Sequence, residues 1–169
     1  MHKKEDIARF RENLKEERNA ATLYRALSAA EKSPELAELY LRLAETEEKH
    51  AAFWEVKLTE AGAKVPTVKS TAKTRIFSFV AKRLGARAIL PAIANIEKEA
   101  ASGYDGQADA GADMVADERS HARIFTALTE AGSGLSGRSV AEMEGKHKGS
   151  GGNALRAGVL GANDGLVSV

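Results

Sequence analysis

Residues 47–51 read Glu-Glu-Lys-His-Ala, and residues 118–122 read Glu-Arg-Ser-His-Ala. Each segment leads into the same pentapeptide, Leu-Thr-Glu-Ala-Gly, at 58–62 and again at 128–132. Within each segment a Glu and a His stand three residues apart, so on an α-helix the carboxylate and the imidazole point the same way. The repeat indicates two equivalent helices, each of which carries a Glu-x-x-His pair.

A second pair of matching positions precedes these helices. Glu17 is followed seven residues later by Tyr24, and Glu97 is followed seven residues later by Tyr104. Seven residues are roughly two turns of an α-helix, so each tyrosine lies on the same face as its glutamate. There its phenol is placed to hydrogen-bond a central carboxylate or to donate an electron. The chain therefore divides into two helical hairpins with the same plan.

Apolar residues recur at steps of three and four through most of the chain, which is the period of an α-helix. The pattern predicts a first helix over residues 4–31. Ser33 is placed to cap a second helix, Pro34 fits the first turn of that helix, and Gly62 ends it.

The second half of the chain begins with a polar connection at 62–74, followed by a basic amphipathic stretch at 75–90. A third long helix is predicted over 91–104 and a turn at 105–106, and a fourth helix continues to about residue 130. The sequence thus predicts an all-α four-helix bundle of two hairpins, with a short crossover helix between helices 2 and 3.

Charged residues stand where the bundle should be apolar. Four glutamates lie on the apolar stripes of the four helices: Glu17, Glu47, Glu97 and Glu118. Burying an ionised carboxylate costs several kcal/mol unless a positive charge pairs with it, and no Lys or Arg shares those faces. Two divalent metal ions would supply that charge, with His50 and His121 as nitrogen ligands.

The spacing supports one shared level for these side chains. Glu17 and Glu47 lie 15 residues either side of position 32, inside the first turn. Glu97 and Glu118 are spaced about equally from the second turn. Because an α-helix rises about 1.5 Å per residue, the two glutamates of each antiparallel hairpin meet at one height.

A plain helical bundle is the alternative, in which the carboxylates reach the surface and the histidines are hydrogen-bonded in the core. A single Glu-x-x-His pair would not decide between the two interpretations. A third such pair, Glu144 with His147, lies in a Gly-rich tail and is not predicted to be a core ligand. Two such pairs, two partner glutamates and matched hairpins together favour the metal site.

Composition excludes several other classes of function. The 169 residues contain no cysteine, so disulfides and thiolate metal sites are excluded. The formal net charge is +1, which gives no overall field to attract nucleic acid, and we expect no nucleic-acid partner. The sequence also lacks a phosphate-binding loop and a nucleophilic triad.

The two Glu-x-x-His pairs and the two Glu–Tyr pairs resemble the ferritin-like superfamily, and the rubrerythrin branch in particular, over about residues 5–132. The resemblance implies two iron ions, with manganese or zinc as alternatives, and a homodimer. It implies metal-ligand roles for six residues: Glu17, Glu47, His50, Glu97, Glu118 and His121. By the family pattern Glu47 and Glu118 bridge the two ions. Rubrerythrins often carry a further carboxylate at the position where this chain has Ala100. Their rubredoxin module needs four cysteines, and this sequence has none.

The tail resembles a different family. Residues 155–168 read LRAGVLGANDGLVS, which is similar to the opening of the first membrane helix in vacuolar iron transporters, where Asp164 would lie in the ion pathway. The order implies a membrane-bound ferritin, with a ferritin-like domain at 1–132, a flexible linker at 133–152 and an incomplete membrane domain at 153–169. It also implies a cytoplasmic location at the inner face of the membrane.

Three functions follow as hypotheses. The first is a cytosolic iron-binding domain that captures, and as a ferroxidase oxidises, Fe(II) and feeds or regulates an attached membrane iron transporter. The second is a rubrerythrin-like di-iron oxidase or peroxidase, and the third is a metal-gated dimerisation module without redox turnover.

The stretch at 75–90 has two interpretations, a helix on a membrane surface or a crossover helix that packs on the bundle or on a second subunit. The connection at 62–74 is also long enough for two chains to exchange hairpins.

Overall fold

A computed structural model describes residues 4–131, which form five α-helices and one 3-10 turn with no strand in that range. The elements, in chain order, are α1 (Lys4–Ala30), α2 (Pro34–Glu60), α3 (Ala72–Leu84), the 3-10 turn (Ala86–Ile89), α4 (Leu90–Tyr104) and α5 (Ala112–Glu130). Helix α1 packs along α2, and α4 packs along α5, so each pair forms an antiparallel hairpin. The prediction of an all-α four-helix bundle with a crossover helix is confirmed.

Several predictions about the tail fall beyond this range. The predicted linker at 133–152, the membrane-domain start at 153–169 and the residues Glu144, His147 and Asp164 lie outside the described residues. Between residues 4 and 131, none of the helices combines the length and the apolar character needed to cross a membrane.

The first hairpin turn follows the predicted capping pattern. The Ser33 side chain accepts a hydrogen bond from the backbone N–H of Leu36 at 3.4 Å, and Pro34 occupies the first turn of α2. Helix α2 ends just before Gly62, whose φ of 70° is a left-handed value that glycine adopts without strain.

The crossover helix differs from its predicted bounds of 75–90. It begins earlier because Thr71 caps it, with its hydroxyl accepting from the backbone N–H of Thr74 at 3.1 Å. It ends at Leu84 because Gly85 turns the chain with a φ of 87°. The rest of the stretch is the 3-10 turn, after which Pro91 lies at the start of α4 as the sequence predicts.

A buried polar residue fixes α3 against α1. The Asn19 Oδ1 atom on α1 accepts from the backbone N–H of Thr71 and from the hydroxyl of Thr74, each at 2.8 Å. Asn19 also donates to the carbonyl of Lys15 at 2.7 Å, so its side chain is held in place. These bonds position the N-terminal end of α3 beside the middle of α1.

The apolar core is divided into two clusters along the bundle. One contains the C-terminal half of α1 and the start of α2, with Leu27 and Leu36, and it meets α5 at Phe125. The other contains Phe10 near the start of α1 and Trp54 near the end of α2. Along each of α1, α2, α4 and α5, residues of one cluster precede the central glutamate and residues of the other cluster follow it. The four glutamates predicted to be buried therefore lie between the two clusters.

Candidate metal centre

Each of the four long helices brings a glutamate into the layer between the two apolar clusters. Six predicted ligand residues are buried there, with relative exposures of 5% or less: Glu17, Glu47, His50, Glu97, Glu118 and His121. The first and third long helices contribute a glutamate alone, whereas the second and fourth contribute a Glu-x-x-His pair. The structure therefore brings together all six side chains that the sequence singles out.

The six side chains form two overlapping groups. In each group, four potential ligand atoms lie within 4.8 Å of one another. The first group consists of Glu17, Glu47, His50 and Glu118. The second group consists of Glu47, Glu97, Glu118 and His121. Since Glu47 and Glu118 belong to both groups, the geometry offers two adjacent cation positions that share two carboxylates.

The histidines make their nearest carboxylate contacts across the two hairpins. His121 on α5 places Nδ1 2.8 Å from Oε1 of Glu47 on α2. His50 on α2 places Nδ1 3.1 Å from Oε1 of Glu118 on α5 and 3.4 Å from Oε2 of Glu47. The two Glu-x-x-His pairs therefore face each other with approximate two-fold symmetry.

Both tyrosines also bond across the hairpins. The hydroxyl of Tyr24 on α1 donates to Oε1 of Glu97 on α4, and the hydroxyl of Tyr104 on α4 donates to Oε1 of Glu17 on α1. Trp54 on α2 in turn donates from Nε1 to the Tyr104 hydroxyl at 3.0 Å. Each tyrosine thus holds the glutamate of the other hairpin rather than the one that precedes it in sequence.

A comparison with known families agrees with this geometry. The family model for rubrerythrin matches residues 10–129, which is most of the chain and includes all six side chains. The chain belongs to the rubrerythrin family. No curated protein and no solved structure matches it. A rubrerythrin-type domain implies di-iron binding, and the buried Glu and His cluster is compatible with it.

The carboxylate oxygens and imidazole nitrogens of this rubrerythrin centre are better placed to bind metal ions than to hydrogen-bond to one another. Glu47 Oε2, His50 Nδ1 and Glu118 Oε1 are fully buried and make no hydrogen bond within the described residues. His50 Nδ1 lies 3.1 Å from Glu118 Oε1 and 3.4 Å from Glu47 Oε2, so these atoms converge on a common space. Carboxylate oxygen and imidazole nitrogen together suit iron, manganese or zinc. The residues present therefore fit a pair of such ions.

Burial dominates the electrostatics of the carboxylates. It raises the pKa of Glu97 to about 8 and raises the pKa of Glu17 well above its ordinary range. Burial also opposes ionisation of Glu47, but the charge of His121 and its hydrogen bond outweigh that effect, so the pKa of Glu47 is lowered. The environment therefore gives different proton affinities to carboxylates that the sequence presents as equivalent.

The histidines show the opposite balance. Burial disfavours the charged form of His121, but the neighbouring charge of Glu47 outweighs burial and raises the pKa of His121 to about 9. The pKa of His50 is also raised, because burial is outweighed by the close carboxylates of Asp117 and of the central glutamates. Without metal, the rubrerythrin centre retains protons at neutral pH. Bound cations would replace those protons.

A cavity of about 410 Å³ leads from the surface to the centre, between α1, the start of α3 and α4. Glu17 and Glu97 line its inner part, and the exposed residues Glu12, Glu16 and Glu99 line its outer part. Ala100, at the position where rubrerythrins often carry a further carboxylate, also lines it. Lys15 and Lys73 line it too, and Lys15 Nζ lies 2.6 Å from Oε1 of Glu12, so the entrance carries a small excess of negative charge and leads to an inner wall of ligand-type residues.

Sequence reasoning missed Asp117, whose Oδ2 lies 3.3 Å from Nε2 of His50. A carboxylate on the second ring nitrogen fixes the orientation and tautomer of a metal-ligating histidine. The available signal was weak: Asp117 directly precedes Glu118, but Thr46 stands at the equivalent place before Glu47. The internal repeat therefore gave no reason to select it.

Proposed function

We propose that this domain holds two iron ions, captures Fe(II) and oxidises it. The observation that carries the proposal is the sharing of Glu47 and Glu118 by two adjacent groups of potential ligands. In the proposal these two carboxylates bridge the metal positions. Glu17 with His50 completes one position, and Glu97 with His121 completes the other. Membership in the rubrerythrin family favours iron over manganese or zinc.

The protein groups around the proposed ions have separate tasks. Two Fe(II) ions held there would each lose one electron to dioxygen, which would be reduced to peroxide with protons taken from solvent. The four carboxylates would offset the charge of the ions, and the flanking apolar clusters close the centre at its two ends along the bundle. Tyr24 and Tyr104 hold Glu97 and Glu17 through their hydroxyl groups, and we assign these two phenols the catalytic role of hydrogen-bond or electron donors.

Fe(II) is proposed to enter through the cavity between α1 and α4. Glu12 is paired with Lys15 there, but Glu16 and Glu99 are exposed at its outer part and offer negative charge to a divalent cation. Oxygen ligands of this kind hold hard cations loosely when water completes the coordination. The ion can therefore move inward to the buried set of Glu and His, which offers stronger binding.

We further propose that the domain feeds or regulates a membrane iron transporter. The resemblance of residues 155–168 to the opening of a vacuolar iron transporter supports this link. In this proposal the domain is a homodimer in the cytoplasm at the inner face of the membrane. Membrane fractionation of cells that produce this protein tests the link, since recovery in the soluble fraction alone would contradict it.

The metal proposal is tested by anaerobic titration of the 169-residue chain with Fe(II), followed by admission of oxygen with recording of absorbance and oxygen uptake. Two ions are expected to bind per chain, and rapid oxidation is expected to follow. Glu47→Ala and His121→Ala should lose both signals. Glu45→Ala, an exposed residue on α2, is the matched control and should retain them.

The other functions correspond to other outcomes of the same titration. Repeated turnover with an added electron donor and peroxide would indicate a rubrerythrin-like oxidase or peroxidase. Two-metal binding that alters the oligomeric state without oxygen uptake would indicate a metal-gated dimerisation module. Binding no stronger than that of Glu47→Ala would overturn the metal site itself.

A further inference from the structure

The segment that joins the two hairpins has a charge composition unlike the rest of the chain. Residues 61–96 contain no Asp or Glu, although the chain as a whole has 24 acidic residues against 25 basic ones. The segment carries seven basic residues, all of them exposed, and none forms an ion pair within the described part of the chain. Four of the seven lie on α3: Lys73, Arg75, Lys82 and Arg83. Helix α3 and the segments that flank it are therefore cationic, although the chain as a whole is nearly neutral.

The outer face of α3 is apolar between these charges. Ile76 and Phe79 are each 59% exposed and Leu84 is 73% exposed, and these are three of the four large exposed apolar side chains in residues 4–131. The guanidinium of Arg83 lies over the Phe79 ring, 5.5 Å from its centroid. By helical spacing Arg75 lies on one side of the Ile76–Phe79 stripe and Lys73 on the other.

The inner face of α3 is already occupied by the bundle. Thr74 and Ala81 are its buried residues, and α3 packs along α1. The exposed apolar side chains are therefore additional to those that hold α3 in place. An exposed apolar stripe flanked by basic residues on a short helix is the pattern of helices that lie in a membrane interface.

A groove beside this stripe provides polar donors. It has a volume of about 490 Å³ between α1 and α3, and Arg75 and Lys82 line it together with Ser78. Arg25 also lines the groove but is paired with Glu48, whose Oε1 lies 2.7 Å from its Nη2. The Ser78 Oγ atom is buried and has no hydrogen-bond partner in the described residues. Cationic groups beside an unpartnered hydroxyl suit the phosphate oxygens of a lipid headgroup.

A two-fold dimer whose axis passes through α3 fits this face poorly. In such a dimer α3 would oppose its own copy and bring like charges together without a carboxylate between them. We propose that the outer face of α3 lies on the surface of a bilayer that contains anionic lipids, with Ile76 and Phe79 among the acyl chains. The proposal requires neither the metal centre nor the tail.

The test is cosedimentation of the 169-residue chain with vesicles of phosphatidylglycerol in phosphatidylcholine and with vesicles of phosphatidylcholine alone. The wild-type chain should bind the anionic vesicles and bind the zwitterionic ones much more weakly. Arg75→Glu/Lys82→Glu should weaken binding about tenfold or more, because each basic residue near an anionic surface adds to binding. Lys49→Glu/Arg123→Glu, with the same net charge on other helices, is the control and should bind several-fold more tightly than the α3 variant.

A second pair of variants separates insertion from simple attraction. Ile76→Ser/Phe79→Ser should also weaken vesicle binding, whereas Val56→Ser, an exposed apolar residue on α2, should not. Circular dichroism checks that every variant keeps its helices. Equal binding by the two charge-reversal variants would assign the binding to another part of the chain and overturn the proposal. If Ile76→Ser/Phe79→Ser bound anionic vesicles as tightly as the wild-type chain, the proposal would be overturned in favour of general attraction to polyanions. If the wild-type chain formed a dimer that the same change abolished, the proposal would be overturned in favour of a second copy.

Discussion

Nδ1 of His121 lies 2.8 Å from Oε1 of Glu47, and this contact joins α5 to α2 across the two hairpins. These two helices have few other close approaches, since each packs mainly against its own hairpin partner. The centre of the bundle is therefore held by groups that belong to the candidate metal site. Metal binding at that site is therefore expected to change the stability of the junction between the two hairpins.

The shared position of Glu47 predicts different outcomes for two conservative changes. Glu47→Gln removes a charge from both ligand groups, whereas Glu17→Gln removes a charge from only one. We expect Glu17→Gln to retain about one tightly bound metal per chain and Glu47→Gln to retain none. Anaerobic dialysis followed by elemental analysis measures this, and Glu45→Gln on the exposed side of α2 is the control. The same stoichiometry in both variants would contradict the shared role.

The tyrosine bonds predict a stability effect specific to the central layer. Tyr24→Phe leaves a buried oxygen of Glu97 without its donor, which should lower the free energy of unfolding by about 1–3 kcal/mol. Tyr40→Phe is the matched control, because Tyr40 is equally buried but its hydroxyl makes no hydrogen bond within the described residues. Its effect should stay below about 0.5 kcal/mol. Urea unfolding of the two variants measures the difference, and equal effects would argue against a specific bond.

The contact of Asp117 with His50 predicts a role without direct metal contact. Asp117→Asn keeps the shape of the side chain but removes the charge that orients Nε2 of His50. Metal affinity should fall about 10- to 100-fold, as it does when comparable partners of ligating histidines are changed. Competition with a chelator measures affinity, and Glu130→Gln at the far end of α5 is the control. Unchanged affinity would show that Asp117 has no such role.

Much of this structure could be predicted from sequence because its strongest signal is local. Glutamates at helical spacing on apolar stripes predict both the four helices and the layer in which Glu17 and Glu47 meet, since burial and period are properties of each helix alone. Ser33 and Pro34 predict the first turn for the same reason, because capping depends on residues within one turn.

What could not be predicted depends on contacts between distant parts of the chain. Spacing placed Tyr24 on the face of Glu17, but only the packing of α1 on α4 shows that it bonds Glu97. The start of α3 depends on Thr71, whose backbone N–H donates a hydrogen bond to Oδ1 of Asn19, more than fifty residues away. Pairings of this kind are set by tertiary structure, which cannot be inferred from the sequence of each helix taken by itself.

The protons held by the centre predict a pH dependence that metal should reverse. The folded-state pKa values of Glu97, about 8, and His121, about 9, both lie above their ordinary values of 4.5 and 6.5. The folded protein therefore binds more protons than the unfolded chain in this range, and its free energy of unfolding falls as pH rises. The raised pKa of His121 stabilises the folded protein fully below about pH 6.5, and this stabilisation is lost as the pH rises to about 9. The raised pKa of Glu97 destabilises the folded protein, and this penalty grows between about pH 4.5 and 8.

The measurement is urea unfolding between about pH 6.5 and 9, with a chelator present and then with saturating metal under anaerobic conditions. With chelator the stability should decline across this window, and Glu97→Gln should make the decline shallower because it removes one titrating group. With metal the decline should disappear, since ligands bind metal in their deprotonated forms and metal binding strengthens as pH rises. A decline of the same slope in both conditions would show that the metal does not displace these protons, and would place it outside the Glu and His cluster.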